Sequence, residues 1–412
     1  MNLKKAYIWN TLGSGLNSFN SLFFMIVVTR INGIKDAGIF TLSFATSCML
    51  YIIAIYCGRT YQVTETEKDI DDNEFIVHRL LSSLIMIIVS FLFAFVNRYN
   101  FYKLFIFMLL CLFKCIDAIC DVFHGILQKN DRLDIVGKSL FIRSLLNILI
   151  FIILDIFTKN LLISCTSLVV TNILILIIID IRKALKYKEK TKLINYKSVY
   201  RIFILGFFTF GVSFIANYLV NAPRYAIDSA MSEKFQTIFG IIVMPASIIM
   251  LINQFVIQPV IIMLKEDYLK KDKRKFLLLI YKIIGITVLI GIFSIVLAYF
   301  FGVPVLNILY GLNLDKYIIN LIIVLLGAIL YTIASVLLNA LIILRKTKIQ
   351  LLIYIFTSVL AFIISYKFVD LFGFNGAIYS YLIIMIILLI LYIIYFFIVM
   401  CDKKIWKRGT DK

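Results

Sequence analysis

The sequence predicts an all-α integral membrane protein with about twelve transmembrane helices in two parallel-repeat six-helix lobes. Hydrophobic residues make up 62% of the 412 residues, and the mean hydropathy is +1.00, more than the surface of a globular protein tolerates. Only four prolines interrupt the Ile-, Leu- and Phe-rich runs, which favours long helices because every backbone N–H and C=O in hydrocarbon needs an internal partner. Basic residues are concentrated between these runs, as expected for a chain that crosses a membrane many times.

Twelve apolar runs have roughly the 20-residue length that a bilayer requires of a helix. They cover about residues 7–29, 37–57, 80–96, 101–121, 139–157, 161–181, 200–221, 237–262, 276–301, 318–344, 349–367 and 375–400. Runs one and seven are predicted to cross in the same direction, so the two halves are parallel repeats. The predicted domains are an N-terminal lobe of residues 1–181, a basic cytoplasmic linker of residues 182–199, and a C-terminal lobe of residues 200–412 with a basic cytoplasmic tail.

The net charge of +19 is explained by membrane topology. Thirty of the 42 lysines and arginines lie at the termini or in alternate gaps between runs, which is the positive-inside pattern. We therefore expect both termini in the cytoplasm, anionic membrane lipids at the basic face and no nucleic-acid partner. The first run follows Met1 to Lys5 without a small-residue cleavage site, so we expect it to be kept as the first helix.

Motifs for catalysis or cofactor binding are absent from the sequence. It contains no Gly-x-x-x-x-Gly-Lys phosphate loop, and neither of its two histidines, His78 and His124, belongs to a His-Glu-x-x-His pattern. The seven cysteines lie in or beside apolar runs or in the tail and show no zinc or disulfide spacing. We predict a protein that is not an enzyme and has no metal or cofactor site, and we expect His124 to lie at a helix end.

Polar side chains form a stripe at helical spacing on the first run and another on the seventh. The first stripe consists of Asn10, Ser14, Asn17 and Ser21, and the second of Thr209, Ser213, Asn217 and Asn221. Each set lies on one face of a helix, and polar groups that face lipid are costly. Two interpretations remain open. The stripes line a shared wet cavity, or they are packing faces on which small residues such as Gly13 and Gly15 let helices approach closely.

A repeated pattern indicates that one half of the chain duplicates the other. Thr29-Arg30 precedes Gly38-Ile39-Phe40, and Pro223-Arg224 precedes Thr237-Ile238-Phe239-Gly240. Matched arginines at corresponding helix ends are typical of a transporter whose halves enclose one site for an anion. Arg224 extends the second stripe beyond Asn221, although Pro223 is expected to disrupt the helix there. Arg30 lies about 180° from Ser21 on an ideal helix, so it faces the site only if the helix has ended; the alternative for both arginines is an anchor at the membrane interface.

The fourth run carries charged residues in its second half. Lys114, Asp117 and Asp121 stand at i, i+3 and i+7, which places them on one helical face. Each costs about 2.5–3.5 kcal/mol near the bilayer centre on insertion scales, so the cluster is a candidate site. We predict that Lys114 pairs with Asp117 and that Asp121 pairs with Arg143 of the fifth run. The cluster has two interpretations. It is a network that locks the helices of the fourth and fifth runs together, or it is a site for a coupling ion.

The eighth run is predicted to form a bent helix, because Pro245 and Pro259 lie within it. It also carries Asn253, Gln254 and Gln258. A bent helix with polar positions suits the moving wall of a transport path, and irregular packing explains the same pattern equally well.

Several short motifs, in their order along the chain, resemble bacterial oligosaccharide flippases of the polysaccharide-synthesis type. They are Thr29-Arg30 with Gly38-Ile39-Phe40, Gly58-Arg59-Thr60-Tyr61-Gln62-Val63, the stretch Phe123 to Arg143, Asn221-Ala222-Pro223-Arg224-Tyr225, and Gly373-Phe374-Asn375-Gly376-Ala377. These flippases belong to the multidrug/oligosaccharidyl-lipid/polysaccharide exporter superfamily. The resemblance extends along most of the chain.

The resemblance implies two lobes around a V-shaped central cavity, alternating access, and a substrate made of a short oligosaccharide on a polyprenyl diphosphate. It also implies that basic residues bind the diphosphate and that the polar stripes contact the sugar. The residues assigned by position are Arg30, Arg59 and Arg224 for the diphosphate and Asn17, Ser213, Asn217 and Asn221 for the sugar. The implied setting is the bacterial cytoplasmic membrane, in capsule or O-antigen synthesis, with other polysaccharide assembly proteins as partners.

Three alternative functions are compatible with the same sequence. A cation-coupled multidrug exporter of the same superfamily would be expected to present acidic rather than basic residues to its cargo. A membrane polysaccharide polymerase or ligase would be expected to have a large external loop, whereas the longest one predicted here is residues 222–236. A structural scaffold in a glycan assembly complex leaves the polar stripes unexplained. The basic residues within the bundle favour the flippase.

Overall fold

The computed structural model describes residues 3–56, 58–64, 70–188, 194–344, 346, 348–402 and 406, and these residues form helices joined by short turns. The helices are α1 (Leu3–Ile31), α2 (Gly33–Ile55), α3 (Gly58–Thr64), α4 (Asp72–Val96), α5 (Phe101–Lys129), α6 (Leu133–Thr158), α7 (Leu161–Ile175), α8 (Arg182–Ala184), α9 (Tyr196–Ala230), α10 (Glu233–Leu269), α11 (Lys273–Leu297), α12 (Val303–Tyr310), α13 (Ile318–Ile343) and α14 (Lys348–Cys401). A π-helix, Leu176–Ile181, continues α7. Residues 189–193 of the predicted linker, and most of the predicted basic tail, lie outside the described residues.

Ten helical stretches in the described residues are long and apolar enough to cross a membrane. The 29-residue helix α5 is not among them, and it carries Lys114, Asp117 and Asp121 in its middle. The stretch Ile349–Cys401 has 53 residues, enough for two spans, and Gly373 breaks it with a φ of 57° and a ψ of −134°. With α5 counted and α14 divided at Gly373, the described part of the chain contains helices for all twelve predicted spans.

The first compact unit comprises Met1–Phe214. Within it, α1 and α6 are in backbone contact, since a Cβ atom on Gly137 would overlap the backbone of Asn10, and one on Gly13 would overlap the carbonyl oxygen of Gly137. The close approach expected at Gly13 is therefore confirmed, whereas Gly15 has open space where its Cβ atom would be. Phe24 of α1 is fully buried in an apolar core that α2, α5, α6 and α7 share.

Helix α4 begins at Asp72, about two turns before the predicted third run at residue 80. A capping box accounts for the early start, because the Asp71 backbone N–H donates to the Glu74 carboxylate at 3.0 Å. Hydropathy alone misses these turns, since they contain charged side chains. As a consequence Arg79, which the sequence placed in a cytoplasmic segment, lies inside a membrane helix and is 3% exposed.

The predicted helix disruption at Pro223 is wrong. Helix α9 continues through Pro223 to Ala230, and α10 begins at Glu233. Proline is tolerated within transmembrane helices when neighbouring groups satisfy the freed backbone carbonyl, and the Pro223 ring is buried. The external loop predicted for residues 222–236 is therefore wrong as well, because only residues 231–232 lie between the two helices.

The second compact unit comprises Ile215–Lys412. Helix α10 is continuous through both of its prolines, and the side chains of Gln254 and Gln258 lie outside the described residues. Helices α13 and α14 pack closely, since a Cβ atom on Gly327 would lie 2.6 Å from the ring of Tyr381. This unit therefore has a tightly packed helix pair of its own.

The motif from Gly373 to Ala377 forms the break in α14. Gly373 has a positive φ, which residues with a side chain rarely adopt. A Cβ atom on Gly376 would overlap the carbonyl oxygen of Phe368. Asn375 accepts a hydrogen bond from the Asn320 amide of α13 at 2.7 Å. Packing and backbone geometry at the break therefore account for these residue types.

Candidate functional site

Polar and charged residues follow one face of α5 at alternating steps of three and four. They are Lys114, Asp117, Asp121 and His124. This spacing keeps them on one side of the helix. Their partners come from α3, α4, α6, α7 and the π-helix, all within the first compact unit.

Asp117 is the centre of the first group. Its carboxylate contacts Lys114 Nζ at 3.2 Å and Arg143 Nη1 at 3.1 Å. Asn172 Nδ2 donates to it at 2.9 Å, and Asn147 Nδ2 donates to the Asn172 side chain at 2.9 Å. The predicted pair of Lys114 with Asp117 is confirmed, and the network joins α5 to both α6 and α7.

Asp121 lies one turn further along α5 and forms a second group. Arg79 of α4 donates to its carboxylate at 3.3 Å, and Arg59 Nε of α3 lies 3.7 Å from it. The predicted pairing of Asp121 with Arg143 is wrong. Arg143 contacts Asp117 one turn away, and Arg79 occupies the position beside Asp121 because α4 begins earlier than hydropathy indicated.

Helix α3 is held against α5 at a glycine. Gln62 donates to a backbone carbonyl of α5 at 3.1 Å, and a Cβ atom on Gly125 would overlap the Gln62 side chain. Gly58 has a φ of 68°, which turns the chain into α3. These contacts place Arg59 beside Asp121. Two of the motifs that carry the resemblance therefore belong to one structural unit.

His124 and Asp180 form a third, fully buried group on the same face of α5. His124 Nε2 lies 3.0 Å from Asp180 Oδ1, and Ser139 Oγ donates to the same oxygen at 2.5 Å. Asp180 belongs to the π-helix Leu176–Ile181, and π-helices often occur at functional positions. The expectation that His124 lies at a helix end is wrong, because α5 continues to Lys129.

The carboxylates of the first two groups do not neutralise the cations around them. The cations in contact with them are Arg59, Arg79, Lys114 and Arg143, and the carboxylates are Asp117 and Asp121. We call these six residues the cationic cluster. Among the described residues, four cations against two carboxylates leave a surplus of two positive charges. Nη1 of Arg59 and Nε of Arg79 and of Arg143 have no hydrogen-bond acceptor among the described residues. The cluster is therefore suited to bind an anion.

The polar stripes of α1 and α9 are partly exposed. The third residue of each stripe, Asn17 and Asn217, is exposed, and Ser213 is half-buried. Asn17 accepts a hydrogen bond from Ser144 of α6 at 3.3 Å, and the Asn221 amide donates to the Asn217 carbonyl at 3.0 Å. Asn17 thus contacts a neighbouring helix and is still exposed, so the two interpretations of the stripes stay open.

The two repeated arginines lie in different surroundings. Arg30 is exposed and lies in the last turn of α1. Arg224 is 8% exposed, its guanidinium lies 5.2 Å from the ring centre of Phe239, and its carbonyl accepts from Gln236 at 2.6 Å. Arg224 therefore packs against α10 within the second unit. Of the three arginines assigned to the diphosphate, Arg59 is the one that belongs to the cationic cluster, and the roles of all three stay predictions.

Sequence reasoning missed four residues of these groups, namely Arg79, Asn147, Asn172 and Asp180. One signal could have found part of the set, because Asp180 is the one carboxylate in the apolar run of residues 161–181. Arg79 was missed because the third apolar run begins at residue 80, so hydropathy does not place Arg79 in a helix.

Solved structures with this arrangement of helices are transporters. An inward-facing multidrug resistance MATE family transporter of the MOP superfamily aligns with 97% of this chain and 96% of its own, with a TM-score of 0.73 and 13% identity. This chain has the MOP transporter fold. An outward-facing structure of such a transporter covers 97% of this chain and 95% of its own at a TM-score of 0.62 and 14% identity. The Vibrio cholerae MATE transporter VcmN, in its bent form, covers 98% of both chains at a TM-score of 0.63 and 11% identity.

The predicted fold class and the predicted resemblance to the MOP superfamily are thus confirmed, and the chain is a multi-pass membrane protein. A Staphylococcus aureus protein, the capsular polysaccharide biosynthesis protein CapF, is 24% identical over 301 residues, which are 72% of this chain and 74% of CapF. No protein-family model matches the sequence. The MOP structures above are described as multidrug transporters and CapF by polysaccharide biosynthesis, so the cargo has to be inferred from the site.

Proposed function

We propose that this protein is a flippase that moves a polyprenyl-diphosphate-linked oligosaccharide from the inner to the outer leaflet of the bacterial cytoplasmic membrane for surface polysaccharide assembly. The observation that carries the proposal is the cationic cluster, with its surplus of positive charge among the described residues of the first unit. Arginine side chains bind phosphate oxygens through their N–H groups, and one nitrogen of each of three arginines in the cluster lacks an acceptor among the described residues. The name of CapF supports a role in polysaccharide synthesis.

The cationic cluster meets a physical requirement of this transport. A diphosphate with attached sugars cannot cross hydrocarbon unaided, because removing its charges and hydroxyls from water is too costly. Cations within the bundle offset part of that cost, and a potential negative inside favours outward movement of an anion by about 2.3 kcal/mol per charge per 100 mV. An alternating-access cycle therefore does not require ATP. Asp117 and Asp121 each contact an arginine, which favours a locking network over a coupling-ion site at these residues.

The second candidate function is a cation-coupled multidrug exporter, and the MOP structures of similar fold are described as multidrug resistance transporters. A surplus of positive charge repels cationic drugs, so the cluster argues against that cargo. Polymerase activity is a weaker alternative, because the external loop on which it would depend is replaced by helix.

The first test is the substitution Arg59→Ala in purified protein reconstituted into liposomes. Arg59 is suitable because its side chain is 27% exposed and Asp121 keeps Arg79 as a partner. Loss of one charge-assisted contact to phosphate, about 1.5 kcal/mol, is expected to lower the rate of flipping of a fluorescent polyprenyl-diphosphate disaccharide about tenfold. Arg59→Lys is expected to keep much of the rate, and an inside-negative potential is expected to raise outward flipping by the wild type.

The matched control is Arg182→Ala, which removes an exposed arginine outside the cluster and is expected to leave flipping unchanged. Wild-type protein that moves ethidium but not the anionic lipid would support the multidrug exporter instead. Equal rates for wild type and Arg59→Ala would remove Arg59 from the proposed phosphate contacts.

A further inference from the structure

The second compact unit contains a polar cavity of its own between α10 and α13. Its volume is about 510 Å³, within the range of about 300–1,000 Å³ that is common for small-molecule sites. Its polar lining residues are Ser247, Asn253, Tyr331, Thr332, Ser335 and Asn339. None of its described lining residues carries a charge, so the cavity differs in kind from the cationic cluster of the first unit.

Asn253 is the residue that indicates a ligand. It is 2% exposed, and its Oδ1 accepts a hydrogen bond from Thr287 Oγ1 of α11 at 3.0 Å. The bond orients the amide, and Asn253 Nδ2 has no acceptor among the described residues. A buried amide donor without a partner is costly, so an acceptor that enters the cavity would satisfy it.

The other polar groups of the cavity present mainly oxygen atoms. The Thr332 hydroxyl donates to the carbonyl of Ala328 in its own helix at 2.6 Å, and the Asn339 amide donates to the carbonyl of Ser335 at 2.8 Å. The Thr332 hydrogen and one of the two Asn339 amide hydrogens are used by α13 itself, which leaves the Thr332 lone pairs and the Asn339 carbonyl oxygen as acceptors. Met250 and Leu251 add an apolar surface beside them.

We propose that this cavity binds a sugar unit of the transported lipid. A sugar hydroxyl is both donor and acceptor, so it can accept from Asn253 and donate to the oxygens of α13, while the C–H face of the ring packs on the apolar side chains. The described lining is uncharged and does not suit a phosphate, and a hydrocarbon tail would leave Asn253 Nδ2 unsatisfied. The inference rests on the proposed flippase function and names the part of the substrate that this unit recognises.

The test compares two fluorescent lipids in their binding to the full-length protein in nanodiscs. One is polyprenyl diphosphate, and the other is the same lipid with a disaccharide of N-acetylglucosamine. Wild type is expected to bind the glycosylated lipid about tenfold more tightly. Asn253→Leu and, separately, Asn339→Leu are expected to lower its affinity to that of the bare lipid and to leave binding of the bare lipid unchanged.

Thr357→Val is the matched control, because Thr357 is a buried residue of the same unit whose hydroxyl donates to its own helix at 2.8 Å. It is expected to bind both lipids as wild type does. If wild type prefers the glycosylated lipid and both leucine variants keep that preference, the sugar site is overturned while the flippase proposal stands. If Asn253→Leu binds the bare lipid more tightly, the cavity holds the tail and the sugar site is overturned. If wild type binds neither lipid, the proposed function fails and the inference with it.

Discussion

At the scale of single residues, Arg79 and Arg143 are the most informative side chains. They are 3% and 4% exposed in membrane helices, and each contacts one carboxylate of α5. An isolated charge in such surroundings is very costly, whereas a paired and hydrogen-bonded one is tolerated. The two arginines therefore depend on Asp121 and Asp117 to be buried, and the same contacts fix α4 and α6 against α5.

Replacement of Arg143 by leucine is expected to destabilise the protein. It leaves Asp117 with Lys114 as its one remaining cation among the described contacts, and breaking a buried pair costs about 3–5 kcal/mol. The double variant Arg143→Leu/Asp117→Asn removes one charge of each sign and is expected to regain part of that loss. Thermal unfolding of the detergent-solubilised protein measures both.

Arg182→Leu is the control for this prediction, because Arg182 is exposed and its loss is expected to change the free energy of unfolding by less than about 0.5 kcal/mol. A double variant less stable than Arg143→Leu alone would contradict this expectation, since it would mean that Lys114 and Asn172 hold the Asp117 charge without Arg143.

Part of the cationic cluster could be predicted from the sequence. Lys114 and Asp117 stand three residues apart on one helix, so local geometry alone brings them together. The partner of Asp121 could not be found in this way. It depends on where α4 begins and on how three helices pack, and a one-turn difference along α5 exchanges Asp121 for Asp117 as the partner of Arg143.

At the scale of helices, apolar runs locate the spans but not their ends. The third run was placed too late because its first turns are charged, and the capping box at Asp71 and Glu74 was the signal that marks the true start. The seventh run was ended too early at Pro223, because the rule for soluble helices was applied to a membrane helix. The first error placed Arg79 outside its helix, and the second placed Arg224 outside its helix.

The contact of α1 with α6 gives a prediction at the same scale. Gly137→Ala places a methyl group on the backbone of α1, so the helices must move apart, and overpacking of this kind costs about 1–3 kcal/mol. A lower midpoint of thermal unfolding in detergent is the expected result.

Gly15→Ala on α1 is the matched control, since its Cβ atom meets nothing within 4 Å. Alanine is a better helix former than glycine, so this variant is expected to be at least as stable as wild type. Equal midpoints for the two variants would show that α1 and α6 are less closely packed than described.

At the scale of the whole molecule, composition and run length were enough to predict a twelve-span bundle, and the basic gaps were enough to predict its orientation. The MOP fold confirms the bundle. The surplus of positive charge could not be predicted, because it is a property of assembled helices. The apolar runs place Arg59 and Arg79 in the gap between the second and third runs, and only packing brings them beside Asp121.

The predicted orientation can be tested with a natural cysteine. Cys401 is exposed, whereas Cys111, Cys115, Cys120 and Cys165 are buried. With the C-terminus in the cytoplasm, a membrane-impermeant maleimide is expected to label Cys401 only after cells are permeabilised, and Cys401→Ser is expected to lower that label. Labelling of Cys401 in intact cells would place the C-terminus outside.

The matched control is Asn97→Cys in the Cys401→Ser background. Asn97 is exposed in the turn between α4 and α5, which the predicted topology places outside the cell. This variant is expected to be labelled in intact cells, so the two cysteines report opposite sides of the membrane.

The charged face of α5 also has a consequence for how the chain enters the membrane during synthesis. On its own, α5 would bring Lys114, Asp117 and Asp121 into hydrocarbon at about 2.5–3.5 kcal/mol each on insertion scales. Arg79 is synthesised before α5, but Arg143 is synthesised after it. We therefore expect α5 to stay beside the translocon until α6 has emerged and to enter the lipid together with α4 and α6, so that biogenesis of the first unit is cooperative.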